Sequence, residues 1–379
     1  MKHTNIILML LALLVWPPVL TSCLDKEEEI KGDSYLDVFE SCWRTIDERY
    51  CYFAEKGVDW DKVYRYYYPL ARDSVKNAQQ LLGLLDGMLD VLRDGHVNVY
   101  APFNVARYWK WYEDYPVNYD ANLVQEYYLK TNYWIAGSFQ FSMLKEDSVA
   151  YVRYSSFANS VGATNLDYVL MATRRAKGMI IDIRGNGGGD LTNANEIAER
   201  FCTDKTLYGY IQHKTGKGHN DFSRPEPLYL EPAEKGRIRW DASTQPVVVL
   251  ANRHTFSAAN NFVQLMKELD GTMTTDSVGA KHPKMIKICG DRTGGGSGMP
   301  FESVLPNGWT LRFSACPMTD ARGVSTEGGI DPSEGLKVDM DSLSAFNNHR
   351  DDIIEAARTY IANHTRMPSF EDEKKEKEK

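Results

Sequence analysis

Two stretches limit the architectures open to this chain more than any others. Residues 178–183, GMIIDI, are apolar enough that both faces of a strand there must be covered, as in a parallel sheet flanked by helices. They run into the glycine loop RGNGGGD, residues 184–190, and then a helical stretch over residues 193–201. Residues 246–269, PVVVLANRHTFSAANNFVQLMKEL, follow the same order. A β-branched run at residues 247–249 passes through a short polar turn into an amphipathic helix, with Ser257 at the junction. Strand, loop and helix, placed twice, predict an α/β fold.

Ser257 can serve two ends at that junction. Its hydroxyl can cap the helix by accepting from the free N–H groups of the first turn. Equally, a strand-to-helix turn exposes the side chain as a nucleophile, and the same N–H groups stabilise an oxyanion formed beside it. The glycine loop supports the second use, because Gly187, Gly188 and Gly189 allow close backbone approach and present N–H groups at a helix N-terminus. It is not a dinucleotide fingerprint: G-x-G-x-x-G from Gly185 needs glycine where Asp190 stands, and no Walker lysine follows. SMLK at residues 142–145 and KTG at 214–216 imitate the motifs of penicillin-recognising enzymes. However, SxxK should open a helix, Ser142 leads into a strand near Val149, and no SxN occurs.

A general base for Ser257 must come from elsewhere. His254 is three residues away, but across so tight a turn a ring rarely reaches the hydroxyl. His96 stands in RDGHVNVY, where Asp94 and Gly95 break a helix and Val97 and Val99 begin an alternating strand. From that rim it can reach across a cleft. Lys267, Lys281 and Lys284 are rival bases, but the latter two lie in a polar loop where a lysine stays solvated and charged.

Hydrophobic residues at 43% and aromatics at 12% fit a globular chain, and the net charge of -8 gives no electrostatic reason to expect nucleic acid. The cysteines show no CxxC and no histidine at metal-ligand spacing, so neither a zinc site nor a disulfide framework is indicated. At the N-terminus, Lys2 precedes an apolar run at residues 6–16, too short to span a bilayer but suited to a signal peptide. It ends in LTSC, which resembles a bacterial lipobox. On that resemblance residues 1–22 are removed and Cys23 carries lipid; the alternative is an ordinary secretory signal with a chance cysteine. Residues 23–34 form an acidic tether whose LDKEEE is also similar to surface-export tags of Gram-negative lipoproteins. The expected location is the bacterial cell envelope, lipid-anchored in the outer membrane, with surface exposure if the acidic run acts as an export tag.

Residues 35–95 predict three helices in a small N-terminal subdomain, with Asp59 and Asn77 as N-caps and Leu81, Leu84, Leu85, Met88 and Leu92 on one apolar face. Residues 96–362 form the core. Within it, residues 108–133 are rich in Trp and Tyr without clear period, and residues 203–244 are polar and proline-rich, an insertion expected to border a cleft. A strand near 286–289, a glycine loop at 290–298, a strand at 309–313 and a helix over 351–361 follow. Residues 363–379 are a charged, disordered tail.

IIDIRGNGGGD, PVVVLANRHTFSAAN, GDRTGGGSG and GGIDP, in this order and spacing, resemble the tail-specific, or C-terminal processing, serine peptidases. With LRDGHV and VDWDKVY the chain is most similar to the tricorn-core branch that lacks a PDZ domain. About 50 residues between His96 and the strand at Val149 are too few for a PDZ module and its connections. The resemblance implies a crotonase/ClpP-like α/β spiral with a small N-terminal helical subdomain. It implies Ser257 as nucleophile, His96 as general base, Glu327 as the third polar group, and oxyanion donors at Ala258 N–H and at Gly188 or Gly187. No metal or organic cofactor is required. The sequence departs from each branch at one activating position. Gly296 follows Thr293, Gly294 and Gly295 where the PDZ-bearing branch has a lysine, and Gly95 stands where the other branch can carry a serine linking histidine to glutamate. Water or Asp94 is left to orient the imidazole. The expected activity is that of a lipid-anchored serine endopeptidase acting on peptides or proteins. The alternatives are a non-catalytic peptide-binding lipoprotein of the same fold and, third, an esterase using the same serine. Arg184, Arg292 and Arg322 could each bind a carboxylate, and the oligomeric state is open.

Overall fold

The computed structural model describes residues 34–144, 148–340, 345 and 347–366. The signal peptide, Cys23, nearly all of the tether and the tail beyond residue 366 lie outside the described residues. Helices α1 (Tyr35–Arg49), α2 (Phe53–Lys56), α3 (Trp60–Ser74) and α4 (Ala78–Asp90) open the chain, the one-turn α2 joining the three expected. Ser34, Asp59 and Asn77 accept from first-turn N–H groups of α1, α3 and α4. A hairpin of β1 (Asn98–Ala101) and β2 (Asn104–Arg107) follows. Two short helices, α5 (Lys110–Glu113) and α6 (Ala121–Leu123), and a π-helical turn at Val124–Leu129 fill the aromatic stretch that lacks a period.

The central sheet then begins with β3 (Trp134–Ala136), β4 (Phe139–Leu144) and β5 (Val149–Tyr154), followed by α7 (Ala163–Thr173), β6 (Met179–Asp182) and α8 (Leu191–Ala198). In the polar insertion lie β7 (Thr206–Ile211) and β8 (Glu226–Leu230). Next come β9 (Val247–Ala251), α9 (Ala258–Leu269), the hairpin of β10 (Met273–Thr275) and β11 (Lys281–Pro283), and β12 (Ile286–Gly290). Strands β13 (Met299–Val304), β14 (Thr310–Cys316) and β15 (Met318–Asp320) and helix α10 (Asp352–His364) end the fold.

The central sheet has the order β12-β9-β6-β5-β4-β3, and β12, β9, β6 and β5 run parallel. Every residue of β6 and β9 is buried, as their apolar runs require. Alternation divides them between two cores: Val247 and Val249 pack with α7, α8 and α9, whereas Val248 and Leu250 pack with Ile353, Ile354 and Ala357 of α10. The mixed α/β class is the one expected.

Three details differ from expectation. Residues 203–244 are not all loop, because β7 pairs with β15 on one side and β8 on the other, and Tyr208, Ile211 and Leu230 of these strands are buried. The line drawn between residues 95 and 96 does not divide two cores. Phe39, Leu85 and Met88 share one buried cluster with Val99, Leu311 and Phe313 of the antiparallel sheet β13-β14-β1-β2, because the helices cover a face of that sheet. Finally, α10 extends to His364 and buries its own Ile361, and Arg366 N–H donates to the Thr244 carbonyl (3.1 Å). The five cysteines among the described residues are all unpaired and buried.

Candidate active site

The site lies where the loops leaving β6, β9 and β12 meet, the crevice at the carboxyl ends of parallel strands that α/β sheets use for ligands. Gly185 N–H donates to Asn252 Oδ1 (2.9 Å), Phe256 N–H to the Asn186 carbonyl (3.1 Å) and Thr255 Oγ1 to the Ile183 carbonyl (3.2 Å). The third loop joins them through Gly294 N–H to the Thr255 carbonyl (2.8 Å) and Ser257 N–H to the Gly295 carbonyl (2.9 Å). Asn186, which sequence reasoning passed over, holds the glycine loop: its Oδ1 accepts from Gly188 N–H (3.0 Å) and Phe157 N–H (3.3 Å), and its Nδ2 donates to the Tyr154 carbonyl (3.0 Å).

Ser257 precedes α9 with φ 58° and ψ −125°, a conformation that costs a residue with a side chain about 1–3 kcal/mol. Its hydroxyl makes no cap hydrogen bond. Instead, Oγ lies 3.0 Å from Nε2 of His96, 161 positions away in sequence. The helix start leaves Ala258 N–H without an acceptor among the described residues, and Gly187 N–H is also unused; Gly188 N–H is taken by Asn186. Gly188 nonetheless closes the site, since a Cβ there would stand 2.7 Å from Ser257 Cβ and 2.6 Å from the Phe256 carbonyl at φ 97°. Gly188→Ala should therefore displace the Ser257 turn. The expected result is a loss of about 100-fold in peptidase activity with a stability loss of about 1–3 kcal/mol, read by steady-state kinetics and by denaturant unfolding.

Burial pushes the His96 pKa down to about 4, against the opposing charge of Asp94. Its Nδ1 makes no hydrogen bond of good geometry, although the Gly298 backbone also favours the protonated ring. Neither residue expected to orient the ring touches it. Asp94 Oδ1 accepts from the His96 backbone N–H (2.8 Å), and Oδ2 accepts from Tyr50 OH (3.0 Å) and Ser314 Oγ (2.9 Å), so Asp94 fixes the turn that carries the ring. Glu327 pairs with Lys56 Nζ at 3.0 Å and accepts from Gly298 N–H at 3.4 Å. Burial, with Asp94 nearby, raises the Glu327 carboxyl to about 7 despite Lys56. Burial also works against the Lys56 ammonium, but Asp94 and Glu327 outweigh it and hold its pKa above the ordinary lysine value. For Asp94, burial is outweighed by Lys56 and His96, and its pKa stays below the ordinary carboxylate value. One partly buried cation thus serves two buried carboxylates behind the imidazole. No sequence signal singles out Lys56, the last residue of a one-turn helix.

The two glycines that depart from the family branches have a shared structural cause. The Phe256 ring, 4.7 Å from the His96 ring and stacked on Trp111 at 4.3 Å, fills the space beside both. A Cβ on Gly95 would meet Trp111 Nε1 at 2.8 Å and Phe256 Cζ at 2.9 Å, and a Cβ on Gly296 would collide with the Phe256 ring.

Other candidates lie elsewhere. His254 packs edge-on against Tyr112 at 4.3 Å. Lys284 is buried rather than solvated, its pKa lowered by burial, but its Nζ donates to Thr203 and Thr272 beyond the far end of α9. Ser142 lies in β4 and donates to the Asn132 carbonyl (2.6 Å). Arg184 is buried between Asp182 and Asp351, Arg322 pairs with Asp320, and Arg292 lies 3.7 Å from Asp331.

Ser257, His96 and the glycine loop line a cleft of about 460 Å³ walled by Tyr108, Trp109 and Trp111. This architecture is shared with known proteins. The model of Peptidase family S41 matches residues 148–335, and that of the Tricorn protease C1 domain matches residues 33–90. A crystal structure from Parabacteroides merdae ATCC 43184, assigned to the peptidases, is 44% identical, covering 87% of this chain and 97% of that one with a TM-score of 0.77. Mature CPAF complexed with lactacystin shares the fold at 10% identity, over 88% and 98% of the two chains, with a TM-score of 0.64. The tricorn protease does so at 14% identity, over 87% of this chain and 37% of that one, with a TM-score of 0.51. No curated protein matches the chain. By fold and family the chain is a peptidase, a hydrolase. It belongs to peptidase family S41.

Proposed function

We propose that the chain is a serine endopeptidase held at the bacterial outer membrane by lipid on Cys23. Ser257 Oγ attacks the peptide carbonyl, and His96 Nε2 accepts its proton and returns it to the leaving amine. Ala258 N–H and Gly187 N–H receive the oxyanion, Gly187 replacing Gly188 because the latter's N–H is engaged; each donor is worth about 3 kcal/mol of transition-state stabilisation. The carrying observation is the 3.0 Å approach of His96 Nε2 to Ser257 Oγ, at a turn that leaves the hydroxyl out of the helix cap. Lys56, Asp94 and Glu327 position the imidazole through the Asp94–His96 turn and the Gly298 backbone without touching substrate.

A buried imidazole titrating at about 4 is neutral, and so able to accept a proton, well below the ordinary histidine range. The acid limb of kcat/KM should accordingly lie well below about 6.5, the pH at which an exposed histidine is half protonated. A pH–rate profile with its acid limb at the ordinary histidine value would remove His96 as a buried base. The assignment as a whole is tested by reaction with a fluorophosphonate probe and mapping of the adduct. Labelling at Ser257 together with peptide hydrolysis is expected; a protein that stays unlabelled yet retains peptides would be the peptide-binding lipoprotein instead. Metabolic labelling with an alkynyl fatty acid, present in wild type and lost in Cys23→Ser, checks the anchor.

A further inference from the structure

In the sheet β13-β14-β1-β2, Leu311, Val99 and Ala106 pack with the N-terminal helices, and the positions that alternate with them face outward. At the end of the sheet where its two hairpins turn, the register aligns Val304, Thr310, Tyr100 and Val105 in one outward row. Val304 is 74% exposed and Tyr100 39%. Phe103, in the turn between β1 and β2, is 48% exposed and lies edge-on to Trp309, with 5.8 Å between ring centroids. Three large apolar side chains thus stand in water at one tip. Neither residues 100–105 nor residues 303–310 include a charged side chain, in a chain of which 25% is charged. Charge begins one row further back, with Glu302, Arg312 and Arg107.

A contiguous exposed apolar cluster marks an interaction surface, whereas single exposed apolar residues do not. Here the order of the side chains is that of a bilayer: an apolar, uncharged tip with aromatic rings at its margin, then a charged row at the level of headgroups. The chain's own geometry brings the two together. Ser303, the neighbour of Val304, accepts from Arg49 Nη1 (2.7 Å) at the C-terminal end of α1. Helix α1 spans about 22 Å, so Ser34 lies one helix length and one arginine side chain from the tip. Residues 23–33 extend to about 37 Å, enough to let the tip touch a membrane in which Cys23 is anchored. We infer that the tip formed by Tyr100, Phe103 and Val304 docks on the phospholipid bilayer that holds the anchor. The inference rests on the proposed lipid on Cys23. Anchoring makes the encounter intramolecular, so a tip too small to hold a free protein on a membrane suffices. With a net charge of -8, the uncharged tip is also the part of the surface that an anionic bilayer repels least. Tyr100 lines the cleft as well, and docking therefore sets the mouth of the cleft beside the headgroups.

The test uses the full-length lipidated protein in vesicles of phosphatidylethanolamine and phosphatidylglycerol, with and without brominated acyl chains. Val304→Cys and Phe103→Cys each carry a bimane label at the tip, and the decision does not depend on either variant alone. The cysteines already present among the described residues are buried. Ile135→Cys, on the edge strand β3 of the central sheet and 68% exposed, is the control. Brominated chains should quench the labels at 304 and 103 and leave that at 135 unchanged. Adding Phe103→Asp to Val304→Cys should abolish the quenching, because a carboxylate is costly to bring into hydrocarbon. Equal quenching at all three positions would mean adsorption without a preferred face and would overturn the inference. Co-sedimentation with the vesicles is read in parallel. A protein that sediments while both tip labels stay unquenched keeps its anchor and loses the docking, whereas one that does not sediment loses both. Tip labels shielded from aqueous iodide yet unquenched by brominated chains would assign the tip to a second copy of the chain, since β13 is also an edge strand, and would equally overturn the inference.

Discussion

Ser257→Ala should lower kcat/KM for peptide hydrolysis by about 10⁴-fold or more. The change removes the attacking oxygen and leaves the cleft, Ala258 N–H and the glycine loop in place, so the residue of activity would come from binding and oxyanion stabilisation alone. Alanine adopts φ 58° no more easily than serine, and the hydroxyl caps nothing. Unfolding free energy should thus move by less than about 1 kcal/mol. Activity and stability are decoupled in this variant, which distinguishes a nucleophile from a structural serine. His96→Ala should cost a similar factor, and the double variant little more than either single one, since the two act as a unit. Undiminished hydrolysis in Ser257→Ala would end the assignment.

Lys56→Met should destabilise the fold by about 3–5 kcal/mol, measured by denaturant unfolding at neutral pH, because it leaves Asp94 and Glu327 buried without their shared cation. Glu327 already titrates at about 7 in the folded protein, above its ordinary 4.5. A carboxyl raised on folding binds more protons in the native state, so its contribution is fully present below the unfolded value and is lost as pH rises through the folded one. His96 has the opposite sign, but its window lies between about 4 and the ordinary 6.5. Above pH 6.5, therefore, stability should fall as Glu327 ionises. In Lys56→Met the carboxyl is pushed higher still, and the fall should be steeper and extend to more alkaline pH. A variant with unchanged stability and unchanged pH slope would mean that Lys56 and Glu327 do not interact in the folded protein.

How far the molecule is legible in its sequence varies from residue to residue. Strands β6 and β9 announce themselves, because a strand covered on both faces must be apolar throughout. The caps at Asp59 and Asn77 are equally plain, their side chains being the chemical cause of the helix starts. Strands β7 and β8 are hidden, since they are short, interrupted by Gly209 and Pro227, and held by long-range partners: β7 pairs with distant β15, and Tyr208 and Leu230 are buried in the core of the central sheet. The approach of His96 to Ser257 spans 161 positions and follows from no local pattern; only the family resemblance placed the two together. Lys56 was invisible for a related reason. FAEKG reads as a solvated helix end, and the partner that buries the lysine lies 271 positions further on. Glycines mislead in another way. Gly95 and Gly296 look like missing functional groups when only the backbone sequence is read, whereas in three dimensions the space is occupied.

That occupant is the ring of Phe256, and it makes the two glycines and the aromatic residue a single interdependent set. Installing a lysine at Gly296 or a serine at Gly95 cannot succeed alone, because each new side chain meets the ring before it reaches the imidazole or the hydroxyl. Reducing Phe256 alone would open a hole beside His96 and loosen Trp111. A lineage moving between the lysine-assisted and the histidine-assisted ways of activating this serine would therefore have to cross an intermediate that is worse at both, and a designer grafting one onto the other must change the three positions together.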